Sequence, residues 1–93
     1  MYYTYVLFSL KDSHLYTGYT SDIQKRLSEH NEGLVASTKH RRPFVLVYHE
    51  VCLNQKDALR REKYLKSGNG KIYIGNRLKH YFSNMNSKIQ RGT

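Results

Sequence analysis

The chain has 93 residues, the length of one small domain. Hydrophobic residues make up 39% of it, which is too many for an intrinsically disordered chain. Its 16 Lys and Arg against 7 Asp and Glu give a net charge of +9, which favours a polyanionic partner such as nucleic acid. The single cysteine cannot form an internal disulfide, and the partly apolar residues 1–10 lack signal-peptide features and are too short to span a bilayer. We therefore expect a cytoplasmic protein.

The N-terminal third of the chain predicts a β-hairpin followed by a helix. β-Branched and aromatic residues dominate residues 2–10, and a second strand is predicted over residues 15–19, after a polar turn. A helix follows and extends to about Asn31, and its N-cap candidates are Thr20, Ser21 and Asp22.

The remainder of the chain predicts one strand and two helices. Residues 34–43 form a polar, basic loop, and residues 44–51 a third strand. A second helix extends from an Asn54 cap to about Ser67, and a third, basic helix is predicted over residues 71–82. The order β-β-α-β-α-α predicts an α+β fold, in which helices flank a three-stranded, mainly antiparallel sheet. We expect a single small domain over residues 2–82 and a polar C-terminal tail over residues 83–93.

Two tyrosines of the predicted hairpin share one face. Because side chains alternate along a strand, Tyr5 and Ser9 lie on the same side of the first strand. With a four-residue turn, Ser9 pairs with Tyr16, which places Tyr16 on the face of Tyr5. Ordinary cross-strand packing explains such a pair as well as a functional site does, so a functional interpretation needs further groups.

The first helix predicts an arginine and a histidine at the edge of its apolar stripe. Ile23 and Leu27 form the stripe, and Arg26 and His30 are an i,i+4 pair beside it. An arginine held against the protein can bind a phosphate through two parallel hydrogen bonds. The alternative is a snorkelling arginine and a surface histidine. Glu29 is predicted to point to solvent.

One carboxylate falls on an apolar face of the second helix. Ala58, Leu59 and Leu65 mark the predicted buried arc, and Glu62 lies inside it. A buried carboxylate is costly unless it is paired or bound to a metal, and Lys66 is a candidate i,i+4 partner. The alternative is a Mg²⁺ ligand, because one carboxylate, several waters and a substrate phosphate suit this ion.

Taken together, these residues resemble the GIY-YIG nucleases. Tyr3-Thr4-Tyr5, then ten residues, then Tyr16-Thr17-Gly18 is similar to the two-part signature that names the family. Arg26 stands where the family has its catalytic arginine, and His30 matches a histidine of many members. The sequence around Glu62 resembles the helix that carries the metal-binding glutamate. The resemblance covers about residues 2–82 and is to the short, stand-alone bacterial members.

The resemblance implies a metal-dependent endonuclease. Tyr5 or Tyr16 would take the proton of the attacking water, and Arg26 would bind the scissile phosphate. Glu62 would hold one Mg²⁺ or Mn²⁺, and His30 would orient a tyrosine or contact phosphate. The flanking nucleic-acid backbone would be held by basic residues, namely Lys39, His40, Arg41, Arg42, Lys71 and Arg77.

The substrate is less determined than the chemistry. Tyr19 stands where the DNA-repair members of the family tend to carry lysine, which weakens the analogy with their substrates. Because these 93 residues hold no separate specificity domain, we expect a substrate that is selected by its structure or by a protein partner. We expect DNA more than RNA, and the sequence leaves the choice between them open. The pathway could be repair, recombination or defence, and the oligomeric state is open. The rival hypotheses are a non-catalytic nucleic-acid-binding module with the same fold and a small protein-interaction domain.

Overall fold

The sheet of this protein has three antiparallel strands. In the computed structural model, which describes the backbone of residues 1–91 and the side chains of residues 1–85, the strands are β1 (Tyr2–Ser9), β2 (Leu15–Thr20) and β3 (Phe44–Cys52). Their order in the sheet is β2-β1-β3, with β1 in the centre. Together with the helices, this confirms the predicted α+β fold.

One helix and a 3₁₀ turn lie between β2 and β3 in the chain, and three helices follow β3. Helix α1 (Ile23–Asn31) follows the hairpin, and a short 3₁₀ turn (Lys39–Arg41) precedes β3. Three further helices complete the chain, namely α2 (Gln55–Lys66), α3 (Gly68–Arg77) and α4 (Lys79–Arg91). The chain divides into two compact units, residues 1–63 and residues 64–93. Within the described part of the chain, none of the helices is both long and apolar enough to cross a membrane.

The strand register brings the two tyrosines of the hairpin to one face. Tyr5 lies opposite Gly18 of β2 and opposite His49 of β3. Tyr16 pairs with Leu7, which is two residues from Tyr5 and therefore on the same side of β1. The predicted common face of Tyr5 and Tyr16 is thus confirmed.

The predicted pairing of Ser9 with Tyr16 is wrong, because the turn between β1 and β2 begins at Leu10, one residue earlier than predicted. The Ser9 hydroxyl accepts hydrogen bonds from the backbone amides of Lys11 and Asp12, at 3.2 and 3.1 Å, and so bends the chain before β2 begins. Ser9 pairs instead with Phe44 of β3. The register therefore moves by two residues, which leaves every side chain on its predicted face.

The two faces of the sheet are buried by different helices. Tyr5, Leu7 and Phe44 form the core on one face, and Ile23 and Leu27 of α1 pack against it, as their predicted stripe requires. On the other face, buried Thr4 donates a hydrogen bond of 2.7 Å to the backbone carbonyl of Ala58 in α2. The side chains of the Tyr5 face consequently lie between the sheet and α1.

Helix α2 has a narrower buried arc than predicted. Ala58 is buried, but Leu59 is 41% exposed, so the prediction that Leu59 faces the core is wrong. An ion pair binds α2 to β3, since Arg61 Nε lies 2.9 Å from Glu50 Oε1. Glu62, the next residue, is half-buried.

The second unit holds two helices where the sequence predicted one. Ser67 caps α3 by accepting a hydrogen bond of 3.2 Å from the Gly70 amide, so the helix begins at Gly68 instead of residue 71. The helix predicted over residues 71–82 is wrong, because the backbone leaves the helical conformation at Leu78. Helix α4 then includes most of the segment predicted as a polar tail, and residues 92–93 lie outside the described residues.

Candidate active site

A hydrogen bond between Tyr5 and His30 lies at the centre of the candidate site. The Tyr5 hydroxyl is 2.9 Å from Nε2 of His30, and the two side chains are only 2% and 0% exposed. The rings of Tyr16 and Phe44 approach His30 at centroid distances of 5.0 and 5.8 Å. The alternative of a surface histidine is therefore wrong.

His30 is also bonded through its second ring nitrogen. Nδ1 lies 2.8 Å from the hydroxyl oxygen of Thr38, which is itself fully buried. The Thr38 hydroxyl donates to the carbonyl oxygen of Val35 at 3.4 Å. Sequence reasoning did not single out Thr38, because it lies in an irregular loop where no periodicity indicates which side chains turn inward.

The pKa values of this pair favour neutral side chains. Burial is the main cause that lowers the pKa of His30 to about 4, and the positive charge of Arg26 lowers it further. Burial likewise raises the pKa of Tyr5 above its ordinary value. At neutral pH the site therefore contains a neutral imidazole beside a protonated phenol.

Several of the predicted site residues interact with the Tyr5 side chain. The Arg26 guanidinium interacts with the Tyr5 hydroxyl and opposes the rise in its pKa, whereas Tyr16 and Glu62 add to that rise. The Tyr5 and Tyr16 rings are 6.5 Å apart. The groups that act on the Tyr5 side chain in the first unit are thus Tyr16, Arg26, His30 and Glu62.

Arg26 is held by a carboxylate of its own helix. Its Nη1 lies 3.2 Å from Oε1 of Glu29, so the prediction that Glu29 points away from Arg26 to solvent is wrong. The Arg26 side chain is still 35% exposed. It borders an open cavity of about 480 Å³, whose other lining residues are Tyr19, Thr20, Ser21, Asp22, Lys25 and Glu29. A ligand can therefore reach the guanidinium from solvent.

Gly18 is required by the position of the Tyr5 ring. A Cβ atom at residue 18 would lie 2.5 Å from Cζ of Tyr5 and would overlap its hydroxyl oxygen. The ring crosses the backbone of β2 at this point, and only a residue without a side chain leaves room for it. The glycine of the Tyr16-Thr17-Gly18 motif thus has a direct steric reason.

The basic residues before β3 differ in whether a ligand can reach their charged groups. Lys39 and His40 are exposed. Arg41 is engaged within the protein, since its Nε lies 2.6 Å from Oδ2 of Asp12, and it also holds the pKa of this carboxyl well below its usual range. Arg42 is exposed and donates a hydrogen bond of 2.8 Å to the Lys39 carbonyl. The remaining two, Lys71 and Arg77, are exposed on α3 of the second unit.

Glu62 is the candidate metal ligand of the first unit. Among the residues that the structure describes, no cluster of three or more His, Cys, Asp and Glu could hold a metal ion. A half-buried single carboxylate that acts on the Tyr5 hydroxyl still fits Mg²⁺ or Mn²⁺, because these ions keep several waters and bind substrate phosphates. The donor set fits an ion that is completed by substrate.

Comparison with known proteins agrees with this geometry. Residues 1–73 match the family model of the GIY-YIG catalytic domain, and the chain therefore belongs to the GIY-YIG nuclease family. It is 45% identical over 67 residues to a UPF0213 protein of Staphylococcus haemolyticus, a match that covers 71% of this chain and 80% of that protein. A UPF0213 protein of Clostridium perfringens is also 45% identical over 67 residues, covering 71% of each chain.

A solved structure shows the same likeness. The solution NMR structure of a UPF0213 protein from Bacillus halodurans matches with a TM-score of 0.50 and 34% sequence identity. The match covers 82% of this chain and 84% of that chain. The predicted resemblance to small, stand-alone bacterial members of the family is thus confirmed.

Proposed function

We propose that this protein is a metal-dependent endonuclease that hydrolyses a phosphodiester bond in nucleic acid, DNA rather than RNA. The observation that carries the proposal is the buried hydrogen bond between Tyr5 and neutral His30, with Arg26 and Glu62 both acting on the same tyrosine. A module that only binds nucleic acid has no need for a carboxylate and a proton acceptor beside its phosphate site. A protein-interaction domain would leave the charge of +9 without a use.

Tyr5 is the better candidate for the group that takes the proton from water. Its hydroxyl is bonded to Nε2 of His30, so it can accept a proton from water while its own proton passes to that nitrogen. The raised pKa of Tyr5 disfavours a free phenolate, and this transfer avoids one. As the water oxygen bonds to phosphorus, the bond to the leaving oxygen breaks, and solvent protonates that oxygen. Tyr16, whose ring packs on His30, is the alternative base.

Arg26 binds the scissile phosphate by exchanging its partner. The phosphate replaces Glu29 on the guanidinium and receives two parallel hydrogen bonds. The phosphate brings negative charge in addition to that of Glu29, and this charge opposes the lowering of the His30 pKa by Arg26. Substrate binding thereby makes His30 a better proton acceptor at the moment when one is needed.

Glu62 is the residue that would hold the divalent ion. A bound Mg²⁺ or Mn²⁺ supplies charge stabilisation at the leaving oxygen. Exposed basic residues would contact the nucleic-acid backbone, and these are Lys39, His40 and Arg42 in the first unit and, separately, Lys71 and Arg77 in the second. Arg41 is the weakest candidate of the predicted set, since its guanidinium is paired with Asp12. A protein partner or the shape of the substrate would supply specificity.

The proposal is tested by cleavage of end-labelled substrates. Branched, single-stranded and duplex DNA, with matched RNA, are incubated with the protein in Mg²⁺, Mn²⁺ or a chelator. We expect metal-dependent cleavage that Arg26→Ala and Glu62→Gln each reduce by about 10²–10³-fold. Glu32→Gln and Arg60→Ala change exposed residues of the same types and should retain activity.

Three outcomes would contradict the proposal or one of its assigned residues. Cleavage that survives Arg26→Ala or Glu62→Gln would remove that residue from the site. Salt-dependent binding without cleavage of any substrate would favour a non-catalytic nucleic-acid-binding module. Equal affinity of wild type and Glu62→Gln for Mn²⁺, measured by titration, would exclude Glu62 as the ligand.

A further inference from the structure

We propose that Thr38 is a positioning residue that fixes the tautomer of His30, so that Tyr5 donates its hydroxyl proton to the imidazole. The catalytic meaning of this role rests on the proposed function, but the role itself concerns the direction of hydrogen bonds in the free protein. Thr38 contacts neither phosphate nor metal in this scheme. It acts through His30 alone.

The Thr38 side of the imidazole determines which ring nitrogen carries the proton. The Thr38 hydroxyl has one proton, which it donates to the carbonyl oxygen of Val35. Its oxygen, 2.8 Å from Nδ1 of His30, is therefore the acceptor in that contact. Nδ1 must then carry the proton, and in a neutral imidazole the other nitrogen, Nε2, is left as an acceptor.

The Tyr5 side of the imidazole agrees with this tautomer. A guanidinium can only donate hydrogen bonds, so the Tyr5 oxygen is the acceptor in its interaction with Arg26. The Tyr5 proton can then point to Nε2 of His30, at 2.9 Å, which the tautomer set by Thr38 leaves as an acceptor. The contacts at both ends of the imidazole are thus compatible with one tautomer, which the Thr38 contact selects.

The result is a chain of hydrogen bonds that all point the same way. Tyr5 donates to His30, His30 donates to Thr38, and Thr38 donates to the Val35 carbonyl, and such aligned bonds strengthen one another. In the other tautomer Nε2–H would donate to the Tyr5 oxygen, and His30 could not take the Tyr5 proton. When the proton does move, the Tyr5 O–H bond breaks, an Nε2–H bond forms, and Nδ1–H stays bonded to Thr38.

The loop position of Thr38 matters for this role. Thr38 precedes the 3₁₀ turn Lys39–Arg41, whereas His30 belongs to the last turn of α1. Eight residues therefore separate the imidazole from the hydroxyl that orients it. The orientation of the proton acceptor depends on the loop being closed against α1.

The experiment compares Thr38→Val, which removes the hydroxyl, with Thr38→Ser, which keeps it. The tautomer of His30 is determined from the ¹⁵N chemical shifts of its ring nitrogens in the full chain, without metal or substrate. We expect Nδ1–H in wild type and in Thr38→Ser, and a large fraction of Nε2–H in Thr38→Val. Thr17→Val is the matched control, because Thr17 is buried on β2 but pairs with Val6 on the opposite face of the sheet.

Cleavage by the same variants gives the second measurement. We expect Thr38→Val to lower kcat by about 10²–10⁴-fold, the usual contribution of general acid–base catalysis, with little change in KM. Thr38→Ser should restore activity, which a loss of packing alone would not allow. A mainly Nε2-protonated His30 in wild type would overturn the proposal, as would Thr38→Val with an unchanged tautomer.

Failure of this inference can be told apart from failure of the proposed function. If wild type cleaves nothing but the tautomer changes as expected, the role of Thr38 is supported and the nuclease proposal fails. If wild type cleaves and the tautomer of Thr38→Val is unchanged, the nuclease proposal stands and Thr38 is not a positioning residue.

Discussion

His30 combines complete burial with a charge state that depends on its neighbours. Its pKa of about 4 has burial as its main cause and the positive charge of Arg26 as the second, while Glu29 acts in the opposite direction. A buried, neutral histidine can accept a proton at neutral pH from the group that it contacts. A surface histidine exchanges protons with water and is less selective for one donor. The same depression of the pKa has a cost for stability in acid.

The pKa of His30 predicts a loss of stability between pH 6.5 and pH 4. In that window the unfolded chain binds a proton at residue 30 and the folded protein does not, so the free energy of unfolding falls as the pH falls. The free energy of unfolding is highest above pH 6.5. Its loss on going from pH 6.5 to pH 4 amounts to about 3 kcal/mol, from roughly 1.4 kcal/mol per pKa unit. Urea unfolding of wild type and His30→Gln at pH 7 and pH 4.5 measures it.

The control for this prediction is His40→Gln, which changes an exposed histidine. It should keep the full pH dependence of wild type, whereas His30→Gln should lose most of it. The same slope in wild type and in His30→Gln would show that His30 titrates normally in the folded protein.

Strand β2 leaves room for the Tyr5 ring because one of its residues, Gly18, has no side chain. It is short and contains Gly18, which weakens a strand because glycine has no side chain to pack and has more freedom in the unfolded chain. Its pairing with Tyr5 explains why a glycine is nevertheless present, since the ring occupies the space of the missing Cβ. Gly18 thus lowers the stability of β2 and leaves room for the Tyr5 ring.

Gly18→Ala is predicted to destabilise the protein by about 1–3 kcal/mol, the usual cost of overpacking a filled site. It should also displace Tyr5 from His30 and reduce cleavage. Gly75→Ala is the contrasting substitution, because nothing lies within 4 Å of its Cβ position in helix α3. It should be stabilising by about 0.5–1 kcal/mol. Thermal unfolding of both variants decides the matter, and equal effects would contradict the steric argument.

The positively charged residues of the molecule include exposed ones that can bind a phosphate backbone and ion-paired ones that stabilise the fold. The net charge is +9, yet Arg41 is engaged by Asp12 and Arg61 by Glu50. Exposed cations such as Lys39 are the ones that a phosphate backbone can reach. Affinity for nucleic acid should therefore depend on which cations are exposed as well as on the total charge.

Lys39→Ala is predicted to weaken binding to all nucleic-acid sequences alike and to reduce the slope of log affinity against log salt by about one. Arg41→Gln should leave that slope nearly unchanged and instead lower the unfolding temperature, because it releases the turn between β1 and β2. Fluorescence anisotropy over a range of salt concentrations, together with thermal unfolding, measures both effects. A full change of slope in Arg41→Gln would show that the ion pair opens to bind phosphate.

Sequence patterns alone determined the features of this protein that depend on local periodicity. The two-residue repeat of a strand put Tyr5 and Tyr16 on one face, and the helical repeat put Arg26 and His30 beside the stripe of α1. These predictions are robust, because a register error of two residues leaves each side chain on the same face. The spacing of the same residues also indicated the GIY-YIG family.

Only the tertiary structure decided which groups meet across the chain. The Ser9 hydroxyl changed the turn, Arg26 paired with Glu29, and a loop brought Thr38 to His30. None of these contacts has a periodic signature, since side-chain hydrogen bonds and irregular loops depend on where the backbone folds back. The direction of the Tyr5–His30 hydrogen bond belongs to this second group, because we infer that it is set by Thr38, which lies eight positions after His30 in the chain.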